Sequence, residues 1–221
     1  MRNPLARLLP VLALICIGSN AHAAPLDLTG TWEVIGNHPS LQPESGVVPF
    51  TPAAQAAYAK NVAATKAGDL SWDNSQTCIP PGVPRIFTIN QPFQILQEPD
   101  VVTFLFQLQR LVNFIYLDPK IPVNDDPTFM GQAFGKWQGD TLVGQLYGFK
   151  PNTFLDNEGM PHSEDLKITE SFTPEGSSKL VGRFHIEDDQ TFTKPWDAVL
   201  TFKRMPNTRI QEDICVERTK R

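Results

Sequence analysis

Apolar and polar residues alternate in short runs along most of the chain. "VTFLF", "LVGRFHI" and "AVLTF" each set apolar residues or glycine at every second position, and "LKITESF" does so except at Glu170. That is the period of a half-buried strand. Candidate strands run over 86–97, 101–109, 111–117, 132–138, 141–149, 164–173, 179–187, 196–204 and 210–217. "LDLTGTWEVI" reads as an earlier strand entered through a glycine turn. "GKWQGDTLVG" predicts a hairpin with Gly139 and Asp140 at its tip.

One segment has a different character. In "TPAAQAAYAKNVAATKAG", Thr51 is a candidate N-cap, Pro52 suits the first helical position and Gly68 suits a stop. The spacing predicts one helix with Ala53, Ala57 and Val62 facing inward. Many short strands and one helix predict a mainly β fold, an antiparallel calycin- or lipocalin-like β-barrel with an N-terminal-side α-helix. A two-sheet sandwich is the alternative. Crossover helices are missing, which excludes a parallel βαβ architecture.

Polar residues that interrupt an apolar face are the candidates for chemistry. In 164–173, Glu170 shares parity with Leu166, Ile168 and Phe172. A carboxyl group on that face must be paired, hydrogen-bonded or protonated. It is a candidate general acid or base, or else one half of a structural ion pair. In "VVTFLFQLQRLVNFIYLD", unbroken alternation sets Arg110 on one face with Phe104, Phe106, Leu108, Val112, Phe114 and Tyr116. An inward Arg110 would pair Glu170 or hold an acidic ligand group. Otherwise it sits at a turn between two strands and reaches solvent. His162 precedes the Glu170 strand and is the best acid–base candidate among the histidines, with Asp156 to orient it. A surface His162 beside a turn-capping Asp156 is the plainer alternative. His185 alternates onto the outer face.

The leading segment changes the picture of compartment. "MRNPLAR", the apolar run "LLPVLALICIG" and the small-x-small "AHA" predict a signal peptide over residues 1–23, cleaved before Ala24. The expected product is a single barrel domain over 24–221, periplasmic or secreted. The formal net charge of −5 becomes more negative once Arg2 and Arg7 leave. That balance speaks against nucleic acid, whose backbone rewards clustered Lys and Arg. Cys78 and Cys215 remain after cleavage. In an oxidising compartment they predict one disulfide, with two free buried thiols as the alternative.

Motifs narrow the chemistry further. The chain has no HExxH, no EF-hand loop, no GK[ST] phosphate loop and no GxSxG elbow. The reading therefore uses no cofactor and no metal. Fourteen Phe run through the strands. They suit a packed aromatic core, and a barrel lined by them suits a small apolar or aromatic molecule.

Several phrases together, among them "PFTPAAQAAY", "CIPPGVPR", "PFQILQEPDVV", "PTFMGQAFGKWQGDTLVG", "GFKPNTFLDNEGMPHSEDLKITESF" and "EDDQTFTKPW", resemble a group of small exported bacterial proteins. "LTGTW" is similar to the glycine–x–tryptophan signature of lipocalin and calycin barrels. The first resemblance implies functional roles for Asp156, His162, Glu170, Trp137 and Trp196, but brings no activity with it. This chain has "IYLDPKIPVND" where that group carries a DGRxHP-like segment, and Gln145 near an expected aspartate.

The combined expectation is a barrel that binds a small, mostly apolar or aromatic molecule. Catalysis would fall to His162, Glu170 and Asp156. Arg110, Arg85, Tyr116, Trp137, Trp196, Phe104 and Phe106 would contact substrate. As an enzyme it would be a cofactor-independent lyase or isomerase working by proton transfer. The rivals are a non-catalytic periplasmic carrier and a structural envelope protein. A homo-oligomer is compatible with all of these; stable membrane insertion is not expected.

Overall fold

Nine strands close into one barrel in the computed structural model, which describes residues 26–122 and 126–218. The predicted signal peptide lies outside the described residues. The strands are β1 (Gly30–Val34), β2 (Phe93–Gln97), β3 (Val101–Phe106), β4 (Val112–Tyr116), β5 (Gln132–Gln138), β6 (Thr141–Tyr147), β7 (Lys167–Glu175), β8 (Lys179–Glu187) and β9 (Trp196–Arg204). Each bonds to its neighbour in sequence, and β9 closes onto β1. Closure leaves no free sheet edge in the ring.

An odd ring cannot alternate direction all the way round. One neighbouring pair must run parallel, and here it is β4 and β5. The expectation of a purely antiparallel barrel is corrected at this seam. The seam is also the shortest pairing: only Ile115–Ala133 and Tyr116–Phe134 are in register. By contrast, β7 and β8 pair from Lys167–Glu187 to Glu175–Lys179. The β5–β6 hairpin turns at Gly139 and Asp140 as its sequence predicts, with Gly139 at φ +60°.

Alternation places the core where the pattern puts it in β3, β7, β8 and β9. Val102, Phe104 and Phe106 point inward from β3, as do Ile168, Glu170 and Phe172 from β7. The segment 86–97 is corrected. Arg85–Thr88 form a short helix, α2, and strand structure begins only at Phe93. The β-branched and aromatic run "RIFTI" looks strand-like. Here it makes a tight, wholly buried turn of helix that drives Phe87 into the barrel. Phe87 packs against Phe93, Phe104, Phe106, Phe172, Phe184 and Phe202, with ring centroids 5.0–5.9 Å apart.

The expected strand at 210–217 is also corrected. Residues up to Ile214 take no regular form, and Cys215–Arg218 make a short helix, α3. The ring is already closed, so this tail has no edge to join. Cys215 is instead bonded to Cys78, with Cα atoms 5.6 Å apart. That disulfide ties the tail to the loop leading into α2.

The long helix, α1, spans Pro52–Lys66 and is capped by the Thr51 hydroxyl. Its inward face is corrected by one position. Ala53 and Ala57 are exposed, Val62 is half-buried, and Ala54, Tyr58, Asn61 and Thr65 face the protein. Hydrogen bonds set this rotation. Tyr58 donates to Asp156 at 2.8 Å, and Asn61 donates to the Gly159 carbonyl at 2.8 Å. Among the described residues no helix is long and apolar enough to cross a membrane.

Candidate functional site

Glu170 projects from the middle of β7 into the barrel. Its cross-strand neighbours are Gly144 on β6 and Phe184 on β8. Gly144 has no side chain to fill that stretch of wall, and Ile115 covers it from β4. Glu170 is fully buried. Its Oε1 accepts a long hydrogen bond, 3.5 Å, from the Asn113 amide. Its Oε2 has no hydrogen-bond partner among the described residues. Burial pushes the carboxyl up to about 8, against the opposing pull of the Asn113 bond. At neutral pH the acid form predominates, and it can donate a hydrogen bond or a proton.

Asn113 is the residue that sequence parity misplaced. Unbroken alternation sets Val112, Phe114 and Tyr116 inward. The barrel turns Asn113 and Ile115 inward instead, and Phe114 is 42% exposed. The cause is a 3-10 turn at Leu108–Arg110, where Gln109 and Arg110 take φ of 53° and 55°. Such backbone is uncommon for residues other than glycine. Neither Gly nor Asn marks the turn. The polar pair "QR" between two apolar runs was the one available signal.

The same turn removes Arg110 from the site. It is exposed and lies 4.0 Å from Glu212. The inward pairing with Glu170 is corrected, because the chain has left the strand where Arg110 occurs.

His162 and Asp156 are both buried, yet neither meets Glu170 through a hydrogen bond. His162 Nδ1 donates to the Ser163 carbonyl at 2.8 Å, which fixes the tautomer since a carbonyl only accepts. Its Nε2 lies 2.7 Å from the Thr153 hydroxyl, whose single proton is shared between that nitrogen and the Lys150 carbonyl at 3.2 Å. Burial lowers the imidazole's proton affinity, outweighing the Ser163 bond and the charge of Asp188. His162 is therefore a neutral ring locked in place. Phe149 meets it edge-on.

Asp156 does not orient His162, which corrects that expectation. It accepts from Tyr58 and from the backbone amides of Leu41, Glu158 and Met160, all within 3.1 Å. Burial raises its proton affinity, and these four bonds oppose the rise. Asp156 thus pins the 153–163 segment to α1 and to the loop at Leu41. The signal for this role was the "DNEGM" turn itself, which places successive amides around the first carboxylate.

Arg85 is held equally firmly. It makes two bonds to Asp73, at 2.9 and 2.7 Å, and a third to the Asn157 side chain at 3.0 Å. Asn157 in turn donates to Thr88 at 2.8 Å and to the His38 carbonyl at 3.1 Å. For Asp73, burial favours the neutral acid, but Arg85 and Ser75 reverse this and leave its proton affinity lowered. This network anchors α2, and through it Phe87, at the barrel end.

The remaining sequence candidates are dispersed. Phe104 and Phe106 belong to the packed cluster around Phe87. Tyr116 lies on the outer side of β4, stacked against Phe114 with centroids 5.7 Å apart. Trp137 packs half-buried against the core, and Trp196 is buried beside Phe192. The Trp196 indole nitrogen has no partner among the described residues. No group of three or more His, Cys, Asp or Glu among the described residues is arranged to hold a metal.

Comparison with protein-family models finds no match, and comparison with the curated proteins finds none either.

Proposed function

We propose that this protein binds a small, mostly apolar or aromatic molecule inside its barrel, with Glu170 as the polar anchor. The observation that carries this reading is the free Oε2 of a fully buried carboxyl. Buried polar atoms are nearly always hydrogen-bonded, and exceptions mark functional sites often enough to demand a reason. Phe184, Phe172 and Phe104 surround the position with aromatic surface. A closed barrel is compatible with small-molecule binding in general, and a calycin-like, exported protein is part of this proposal.

On the catalytic reading, Glu170 gives a proton to the bound molecule and takes one back from another of its atoms. The net result is a cofactor-independent isomerisation, or an elimination if a leaving group departs. Asn113 steadies the carboxyl in both states. A second reading is carriage without chemistry. It is favoured by the engagement of both His162 nitrogens with Thr153 and Ser163, which leaves Glu170 without an imidazole partner.

The test is a screen of neutral aromatic and alicyclic compounds by thermal shift and native mass spectrometry, followed by assays for turnover. The variants are Glu170→Gln and Glu170→Leu. Binding kept but turnover lost in Glu170→Gln supports catalysis. Binding lost in Glu170→Leu, with no turnover in the native protein, supports carriage. A hit whose affinity neither variant changes removes Glu170 from the function.

A further inference from the structure

The chain beyond β9 crosses the outside of the barrel as a strap. Beneath it, Thr31 on β1 pairs with Gln94 on β2, which pairs with Leu105 on β3. Strand alternation turns these three side chains outward, opposite to Trp32, Ile95 and Phe104. The strap is fastened at both ends. The Thr31 hydroxyl donates to the Thr208 carbonyl at 2.9 Å, and the Met205 amide donates to the Thr31 carbonyl at 2.8 Å. Further on, the Gln211 amide donates to the Gln107 side chain at 3.1 Å, and Cys215 is bonded to Cys78. A groove of about 500 Å³ is lined by the three outward wall residues and by Thr208–Gln211. That volume lies within the range of small-ligand sites, about 300–1,000 Å³.

The lining indicates what the groove accepts. Arg110 and Arg209 both line it, with Leu105 and Ile210 as aliphatic surface between polar side chains. Arg110 is presented by the turn in which Gln109 and Arg110 take φ of 53° and 55°. Such backbone is costly for these residues and gathers at ligand clamps. The strap itself holds that turn, since the Asp213 carboxylate accepts from the Gln109 amide at 2.7 Å. Glu212 lies 4.0 Å from the Arg110 guanidinium, beyond hydrogen-bond length, and the two side chains are 63% and 66% exposed. An exposed pair of this kind is weak. It leaves the planar donor fork of Arg110 open to a ligand carboxylate, which arginine binds through two parallel hydrogen bonds. Arg209 is exposed on the strap and adds a second positive charge to the same groove.

We propose that the groove under the strap binds a small carboxylate with an aliphatic chain. Arg110 and Arg209 hold the carboxylate, and the chain lies along Leu105 and Ile210. This site is on the outside of the barrel and does not depend on the reading of Glu170 as polar anchor.

The test uses the full mature chain with its disulfide intact and three probes with one chain length: octanoate, octanol and octylamine. Affinities are measured by NMR titration that follows the arginine side-chain signals, with circular dichroism as the check on folding. Octanoate should bind saturably and shift the Arg110 and Arg209 signals, and it should bind about tenfold more tightly than octanol or octylamine. Arg110→Gln and Arg209→Gln, both at exposed positions, should each weaken octanoate about fivefold and leave octanol unchanged. Arg183→Gln removes an exposed arginine on β8 that does not line the groove, and it should leave octanoate affinity unchanged. Octanol or octylamine binding as tightly as octanoate would overturn the ligand class, and failure of octanoate to bind would overturn the site. Octanoate affinity that survives in the Arg110→Gln/Arg209→Gln double variant would overturn the site as well. If Glu170→Leu then abolishes that binding, the ligand lies inside the barrel and the reading of Glu170 stands without the groove.

Discussion

The amide of Asn113 on β4 lies 3.5 Å from the Glu170 carboxyl on β7, so two strands that do not touch in the sheet share a polar contact inside the barrel. The contact exists only because a turn at Leu108–Arg110 exchanges the two faces of β4. Stability measurements on adjacent positions test that exchange directly. Ile115→Ala should cost about 2–5 kcal/mol, as expected for a large aliphatic side chain removed from a packed interior. Phe114→Ala should cost less than about 1 kcal/mol. Urea unfolding of both variants checks the pair, and the reverse ranking would mean that the strand faces the other way.

Glu170 makes stability depend on pH with a definite sign. Its folded proton affinity is raised to about 8 from an ordinary 4.5. The buried acid therefore imposes no ionisation penalty below the lower value. As pH rises between the two, the unfolded chain ionises and the folded chain does not, so stability falls. Above about 8 both states ionise and the slope vanishes. Glu170→Gln removes this dependence. Relative to native protein, the variant should gain roughly 3 kcal/mol between pH 5 and pH 8, given about 1.4 kcal/mol for each pH unit. Denaturant curves at the two pH values decide it; parallel curves would place an undetected cation beside the carboxyl.

The Arg85–Asp73 pair should behave as a buried ion pair rather than a surface one. Both side chains are about 5% exposed. Asp73→Asn leaves a guanidinium buried without its carboxylate and should cost about 3–5 kcal/mol. The double variant Asp73→Asn with Arg85→Met should recover part of that loss, because no charge is then stranded. A double-mutant cycle measures the coupling, and strict additivity would show that the pair contributes nothing specific.

The Cys78–Cys215 bond should be a large contributor to stability for a single covalent link. It closes a loop with a sequence separation of 137 residues. Restricting so long a loop in the unfolded chain is worth about 2–5 kcal/mol. Unfolding with and without reductant, and of the Cys78→Ala/Cys215→Ala variant, should agree on the size of the loss. A reduced protein as stable as the oxidised one would contradict the loop-closure account.

Much of this fold was legible in the sequence because strand alternation is a local property. Glu170 among Leu166, Ile168 and Phe172 needed no tertiary information, since successive side chains on a strand must take opposite faces. The Gly139–Asp140 hairpin and the Thr51–Pro52 helix start were local in the same way. The disulfide was legible by another route: once a leader is assumed to depart, only two cysteines remain. The site itself was legible only in part. His162 and Asp156, read as an acid–base pair, are both buried, but proximity in sequence to Glu170 did not become contact.

By itself, then, the sequence determined a β-rich chain, one helix and a carboxyl on an apolar face, each from spacing and local backbone preference. Only the tertiary structure decided that nine strands close with one parallel seam, that Phe87 joins the aromatic cluster within the barrel and that Asn113 is the partner of Glu170. These depend on ring closure and on two non-glycine residues held at positive φ by their surroundings, neither of which a local pattern of residues encodes.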